Sequence, residues 1–268
     1  MKTPKFWYND NSILKYILYP LTIFWLLGNF FNKSYTKPCK FSVPIICVGN
    51  IIAGGSGKTP LTMQLARFFL EKNFFVHIVK KQYKSKNNLK VVPVYENSDP
   101  SLVGDESVLV SKITSTWLAK DRKSGIERAI KEGANLIILD DGLQDYSVIK
   151  DFNILTVNQK QQFGNKRIIP AGPLREDIKS GIKKADIIFF YGKKKSLDPK
   201  ILHSGKPTIF VKMLYEKILL EKIKNKNILA FTGIAHPDNF FNSIINYGFN
   251  LVKKIEFPAH YRYKRKNF

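Results

Sequence analysis

The run Gly54-Gly55-Ser56-Gly57-Lys58-Thr59 puts three glycines, an ammonium and a hydroxyl into one turn. The apolar run Val43 to Val48 precedes it, and Leu61, Leu65, Phe68 and Phe69 follow at helical spacing. That order reads as a strand, a glycine-rich turn and a helix N-terminus. Such a turn aims successive backbone N–H groups at one point, where the helix dipole also favours negative charge. The chemistry is polyphosphate binding: Lys58 would reach the β- and γ-phosphates and the Thr59 hydroxyl would hold Mg2+. The usual spacing has a further glycine where this chain has Ile52, so the cradle leans instead on Gly54, Gly55 and Gly57, within an expected ATP-binding stretch of Ile52, Ala53, Gly54, Gly55, Ser56, Gly57, Lys58 and Thr59. A loop that only caps a helix is the plainer alternative, and it has no need of the Lys-Thr pair.

Two acidic clusters fit beside such a loop. Leu136-Ile137-Ile138-Leu139 reads as a buried strand that ends in Asp140-Asp141-Gly142. In a parallel sheet its end meets the loop at the carboxyl edge, where ligands bind. Asp140 and Asp141 are therefore candidate Mg2+ ligands, directly or through water, unless one of them merely caps the turn before Gly142. Val103-Gly104-Asp105-Glu106 opens a helix with two carboxylates in its first turn. Acids are common there as caps. A phosphoryl-transfer enzyme also needs a carboxylate to orient or deprotonate the attacking hydroxyl. Asp105 is the candidate for that role, and Glu106 is a further candidate metal ligand.

These residues need a sheet to position them. The chain has 268 residues, 44% apolar and 24% charged, enough for one large or two modest domains. Phe74 to Val79, Phe152 to Val157, Ile187 to Tyr191, Thr208 to Lys212 and Ile228 to Phe231 read as strands, and Ile126 to Glu132 as a helix. The alternation predicts an α/β fold: a mostly parallel sheet with helices on both faces, an N-terminal hydrophobic helix and a small C-terminal lobe. The expected division is a membrane-associating segment at 1–40, a phosphate-loop core at 41–205 and a C-terminal lobe at 206–268.

From Tyr16 to Asn32 there is no charged residue, and Ile17 to Phe31 is dense in Ile, Leu, Phe and Trp. The run falls slightly short of the about 20 residues of a spanning helix, and Pro20, Gly28 and Asn29 interrupt it. It has no small-residue cleavage site, which argues against a signal peptide. Lysines flank it, and Trp7, Tyr8, Tyr16 and Trp25 suit a headgroup boundary. An interfacial helix is the first reading, ahead of a buried core helix and a spanning helix. The net charge of +23 points to an anionic partner. The lysines are scattered, with short clusters at Lys193 to Lys195 and Arg262 to Lys266, and no nucleic-acid motif is present. A membrane surface or an anionic substrate is therefore expected ahead of nucleic acid. The two cysteines, Cys39 and Cys47, make no disulfide framework, so a reducing compartment is the default.

The motifs in order resemble the tetraacyldisaccharide 4′-kinase (lipid A 4′-kinase) family over nearly the whole chain. They are Pro4-Lys5-Phe6-Trp7, Val48-Gly49-Asn50 with Gly54 to Pro60, Val103 to Glu106, and Asp140 to Gln144. Further on come Phe163-Gly164-Asn165, Pro170 to Glu176, and Thr232-Gly233-Ile234 with Pro237 and Phe240-Phe241. The resemblance implies an enzyme using ATP and Mg2+ at the cytoplasmic face of the bacterial inner membrane. It would move the γ-phosphate to the 4′-hydroxyl of an acylated disaccharide phosphate. It also implies that Asp105 works with His260 on that hydroxyl. Arg175 and Gln144 are expected near the substrate, with Arg175 as an anion contact or paired with Glu176 or Asp177.

The chain departs from the family pattern in places. Lys81-Gln82-Tyr83 stands for Arg-Gly-Tyr, and a lysine cannot copy the planar fork of arginine. Asp145 stands for His, which is expected to reverse the charge preference near metal and phosphates. Ala259-His260 stands for Asp-His, and the family's later Thr-Glu-Lys-Asp segment does not occur before Phe268. Three readings stay open at this level: an active lipid kinase, a degenerate member that binds nucleotide and membrane but turns over little, and another phosphate-loop ATPase.

Overall fold

A computed structural model describes residues 3–9, 11–82, 89–212, 221, 225–234, 237–258 and 261. His260, Ala259, Tyr83 and the basic cluster at 262–266 lie outside the described residues. The larger unit, Lys5–Lys212, holds an eight-stranded sheet. Its strands are β1 (Ile45–Gly49), β2 (Val76–Lys81), β3 (Val91–Val94), β4 (Thr116–Ala119), β5 (Leu136–Asp140), β6 (Phe152–Asn158), β7 (Ile187–Tyr191) and β8 (Thr208–Val211). Their order is β3-β4-β2-β5-β1-β6-β7-β8. All neighbours are parallel except β3, which runs antiparallel to β4 at the edge. Pro93 is tolerated in β3 because an edge strand can leave one side unpaired.

Why these segments are strands follows from burial on both faces. Every residue of β5 is buried, so it reads as a continuous apolar run rather than an alternating one. Alternation still decides which helix each residue meets. Val48, Ile78, Ile138 and Ile154 pack with Leu61 and Ala66 of α2 (Lys58–Leu70) and Val110 of α3 (Asp105–Ser111). Cys47, Val79, Ile137, Leu139 and Leu155 pack on the other face with Ile126 and Ala129 of α4 (Arg122–Lys131) and Ile178 and Ile182 of α5 (Ile178–Lys184). The sheet thus has helices on both faces, as expected. Sequence reading missed β3 and β4, which are only four residues each.

The N-terminal helical stretch Leu14–Tyr35 is 22 residues long, apolar enough to cross a membrane by length and composition. Its main part, α1 (Thr22–Tyr35), buries only Thr22, while Ile23, Phe24, Leu26, Leu27, Phe30 and Phe31 are exposed. The buried-core reading of this segment is therefore corrected. Pro20 does not break it, because proline there sits in the first turn of a 3-10 segment, where its missing N–H costs nothing.

The smaller unit follows Lys212. In it β9 (Asn227–Thr232) and β10 (Asn250–Glu256) pair in parallel, with α6 (Pro237–Asn246) between them in sequence. Phe241 of α6 is buried in this unit.

Candidate active site

The loop between β1 and α2 lies at the carboxyl edge of the sheet centre, beside the end of β5. Register pairs Val48 with Asp140, so the last residues of both strands are neighbours. Gly57 caps α2 at φ 85°, a left-handed conformation that suits glycine. A Cβ there would meet the Tyr191 ring at 2.6 Å, and Tyr191 Oη donates to the Gly57 carbonyl at 2.9 Å. The Ser56 hydroxyl is buried against Thr156 Oγ1 at 2.8 Å, and Thr156 donates to the Gly49 carbonyl. Asn50 Nδ2 donates to the Gly54 carbonyl at 3.2 Å. Among the described residues the amides of Gly54 to Gly57 donate to no protein acceptor, which leaves them available to an anion.

Two expected loop residues are placed differently. The Ala53 amide is consumed by the Pro173 carbonyl at 2.7 Å, and buried Ile52 bridges Leu174. These two residues anchor the loop to the segment before Arg175; the free amides begin at Gly54. Within the expected ATP-binding stretch, the Ala53 amide is thus taken by the downstream strand-like bridge.

The charged groups form two linked clusters. In the first, Lys58 Nζ stands 3.7 Å from Asp141 Oδ1, and Arg175 Nη1 donates to the same oxygen at 2.8 Å. Burial pushes the Asp141 carboxyl up, but Lys58 and Arg175 outweigh it and hold it below the usual range. Burial lowers the Lys58 ammonium against the pull of Asp141. In the second, Thr59 Oγ1 donates to Glu106 Oε2 at 2.7 Å. Lys80 Nζ lies 2.6 Å from Asp140 Oδ2 and 3.7 Å from Glu106 Oε2. Asp140 Oδ1 is buried without a hydrogen bond. An orphaned oxygen on Asp140, a carboxylate linked through Lys80 to Glu106 and so to the Thr59 hydroxyl, fits a hard divalent cation. Thr59, Asp140 and Glu106 are the residues that would hold it.

Arg175 does not pair with Glu176 or Asp177; both alternatives are corrected. Glu176 pairs with Lys184 at 2.6 Å and accepts from Gln144, while Asp177 caps α5 through the Ser180 amide. Gln144 also donates to the Asn50 carbonyl and accepts from Arg175. Its amide is thus engaged in linking the strand ends. Asp105 opens α3 at an exposed position, next to Glu106.

Sequence reading passed over Arg122, although it follows the cap Asp121, which accepts from the Ser124 amide. Its Nη2 donates to the Asp141 carbonyl at 2.6 Å and the Asp140 carbonyl at 3.3 Å, and its Nη1 to Asp145 Oδ2 at 2.8 Å. Asp141 sits at φ 60°, a strained position for a non-glycine residue, and Arg122 holds its carbonyl there. Asp145 therefore does not face metal and phosphates with a free charge. It is bound by Arg122, Ser147 and the turn, and these contacts lower its pKa against burial.

The N-terminal segment reaches this site through backbone carbonyls. Trp25 Nε1 and Asn29 Nδ2 both donate to the Arg175 carbonyl, at 2.8 and 3.1 Å. Trp7 Nε1 donates to Pro170, and the Trp7 carbonyl accepts from Asn165. The apolar helix is thereby tied to the residue whose guanidinium holds Asp141.

The chain is similar to known proteins over most of its length. A family model for tetraacyldisaccharide-1-P 4′-kinase matches residues 14–268. The tetraacyldisaccharide 4′-kinase of Rickettsia bellii is 35% identical over 265 residues, covering 98% of this chain and 81% of the relative. That of Rhodospirillum centenum is 31% identical over 267 residues, covering 97% and 79%. The crystal structure of LpxK from Aquifex aeolicus in complex with ATP superposes with a TM-score of 0.78 at 29% identity, covering 94% of this chain and 84% of that one. With a family model spanning nearly its whole length, this chain belongs to the tetraacyldisaccharide-1-P 4′-kinase family.

Proposed function

We propose that this chain transfers the γ-phosphate of ATP to the 4′-hydroxyl of a tetraacyldisaccharide 1-phosphate. The observation that carries the reading is the 2.7 Å bond from Thr59 to Glu106, which joins the Gly-Asp-Glu turn to the phosphate loop. It supports placing a hydroxyl acceptor held by α3 beside a nucleotide held by α2.

The free amides of Gly54 to Gly57 and the α2 N-terminus bind the β- and γ-phosphates. Lys58 leaves Asp141 and turns to the phosphate oxygens, while Arg175 keeps Asp141 compensated. Thr59, Asp140 and Glu106 would hold Mg2+, which when bound would supply neutralisation of charge on the transferring phosphoryl group. Asp105 accepts the proton of the 4′-hydroxyl as its oxygen forms the new P–O bond and the bond to the β-phosphate oxygen breaks, leaving ADP. His260 is the proposed partner of Asp105 in that step. Positioning and charge neutralisation carry most of such a reaction.

The test is transfer of labelled γ-phosphate to acylated disaccharide 1-phosphate in mixed micelles. Asp105→Asn is expected to lower kcat about 10^2-fold or more, the size of a lost general base. Unlabelled lipid with a chain that still binds ATP would sink the kinase reading and favour the degenerate one.

The exposed apolar face of α1 supports seating on the inner-membrane surface, and the excess of lysine suits anionic lipid on the cytoplasmic side. Phe24→Glu with Phe30→Glu is expected to cut binding to anionic vesicles about ten-fold or more, since each Phe contributes roughly 1.5–3 kcal/mol when buried. Sedimentation with the vesicles checks it; unchanged binding would place the contact elsewhere.

A further inference from the structure

We propose that Lys80 is a resident counter-ion of the metal-side carboxylates and that it sets how readily a divalent cation loads. The inference rests on the phosphate-transfer reading only in placing that cation beside Thr59.

Lys80 and Asp140 are register partners at the carboxyl ends of β2 and β5. Both continue the face that carries Ile78 and Ile138, the face covered by α2 and α3. Period-two alternation therefore aims the ammonium at Thr59 and Glu106 rather than at α4. The side chain is 12% exposed, so its charge is not dispersed by water. At 2.6 Å it binds Asp140 Oδ2, and at 3.7 Å it reaches Glu106 Oε2, the oxygen that accepts from Thr59. One cation thus spans the two carboxylates that would meet Mg2+, while Asp140 Oδ1 stays buried without a hydrogen bond.

The charges around the site then balance without any ligand. Asp140, Asp141 and Glu106 face Lys58, Lys80 and Arg175. Lys58 can leave for a phosphate because Arg175 remains on Asp141. Among the described residues no second cation is ion-paired with Asp140, so Lys80 stays and repels an incoming divalent ion. It holds Asp140 in place before the metal arrives, and it weakens the metal when it does. Arrival of a polyphosphate shifts this balance toward the metal by adding negative charge.

The experiment is a Mn2+ titration of the full chain without nucleotide or acceptor, following free Mn2+ by EPR and the melting temperature in parallel. Lys80→Met is expected to bind Mn2+ at least about ten-fold more tightly than the parent chain, a coupling typical of neighbouring charges. Its melting temperature should rise with Mn2+ more than the parent's does. Lys80→Arg keeps the charge and should behave as the parent. Lys80→Gln, polar but likewise uncharged, takes the place of the methionine variant if that one fails to fold. Adding Asp140→Asn should abolish the gain and so locate the ion. An unchanged Mn2+ affinity in the uncharged variants overturns the proposal, as does arginine matching methionine or a gain that survives Asp140→Asn. Neither nucleotide nor lipid enters the titration, so failure of lipid phosphorylation and failure of this proposal are read separately.

Discussion

Lys58→Ala is expected to lower kcat/KM on the order of 10^2–10^3-fold, the cost of losing one preorganised charge from a transferring group. The fold should hardly respond. Lys58 is the longer of two contacts to Asp141, at 3.7 Å against 2.8 Å for Arg175. Removing the lysine leaves the buried carboxylate paired, and it also relieves an ammonium that burial already disfavours. Near-equal melting temperatures with collapsed transfer would locate the loss in the chemistry. Lys58→Arg should not restore the parent rate, because the planar guanidinium is not a point charge on a flexible stem. A Lys58→Ala chain with parental kcat/KM would remove Lys58 from the phosphate site.

Arg122→Met is expected to act in the opposite way, on the fold first. Arg122 and Asp145 are both largely buried, and breaking a buried pair costs about 3–5 kcal/mol. For a chain of this size that is a fall in melting temperature of roughly 10 °C. The pH dependence has a definite sign. Asp145 is held below its usual range in the folded chain, so its contribution is present above the unfolded pKa and is lost as pH falls through the folded one. Without Arg122, burial has one less opponent and the folded pKa rises. The acid unfolding midpoint should therefore move to higher pH. Thermal melts across the acid range check this, and a midpoint that stays put would mean that Ser147 and the turn alone hold the carboxylate. Residual activity should also fall, because Arg122 holds the carbonyls of Asp140 and Asp141 at the strained strand end.

The two substitutions separate the roles of the site's cations. Lys58 and Arg175 share one carboxylate, so one of them is free to move. Arg122 holds the turn through two backbone carbonyls and the Asp145 carboxylate, and has no freedom to give. The apolar helix enters this scheme through the Arg175 carbonyl, which accepts from Trp25 and Asn29. An exposed apolar helix is thus bonded to the residue that shares Asp141 with Lys58.

The sequence alone carried the phosphate loop, because glycines, lysine and threonine at that spacing have few other uses between a strand and a helix. It carried β5 as well, since a four-residue apolar run ending in two aspartates leaves little doubt about its phase. The parallel sheet with helices on both faces followed from such runs alternating with helical patterns. Local chemistry determines these features, and local chemistry is what a sequence displays. Lys80, Arg122 and the neutralised Asp145 were beyond it. Their partners lie on other strands and turns, and only the strand order β4-β2-β5-β1 brings them together. The same holds for the amides: spacing alone counts Ile52 and Ala53 into the ATP-binding stretch, while the structure engages them with Leu174 and Pro173. Which ion faces which depends on register and on alternation across a sheet, and those are properties of the assembled structure.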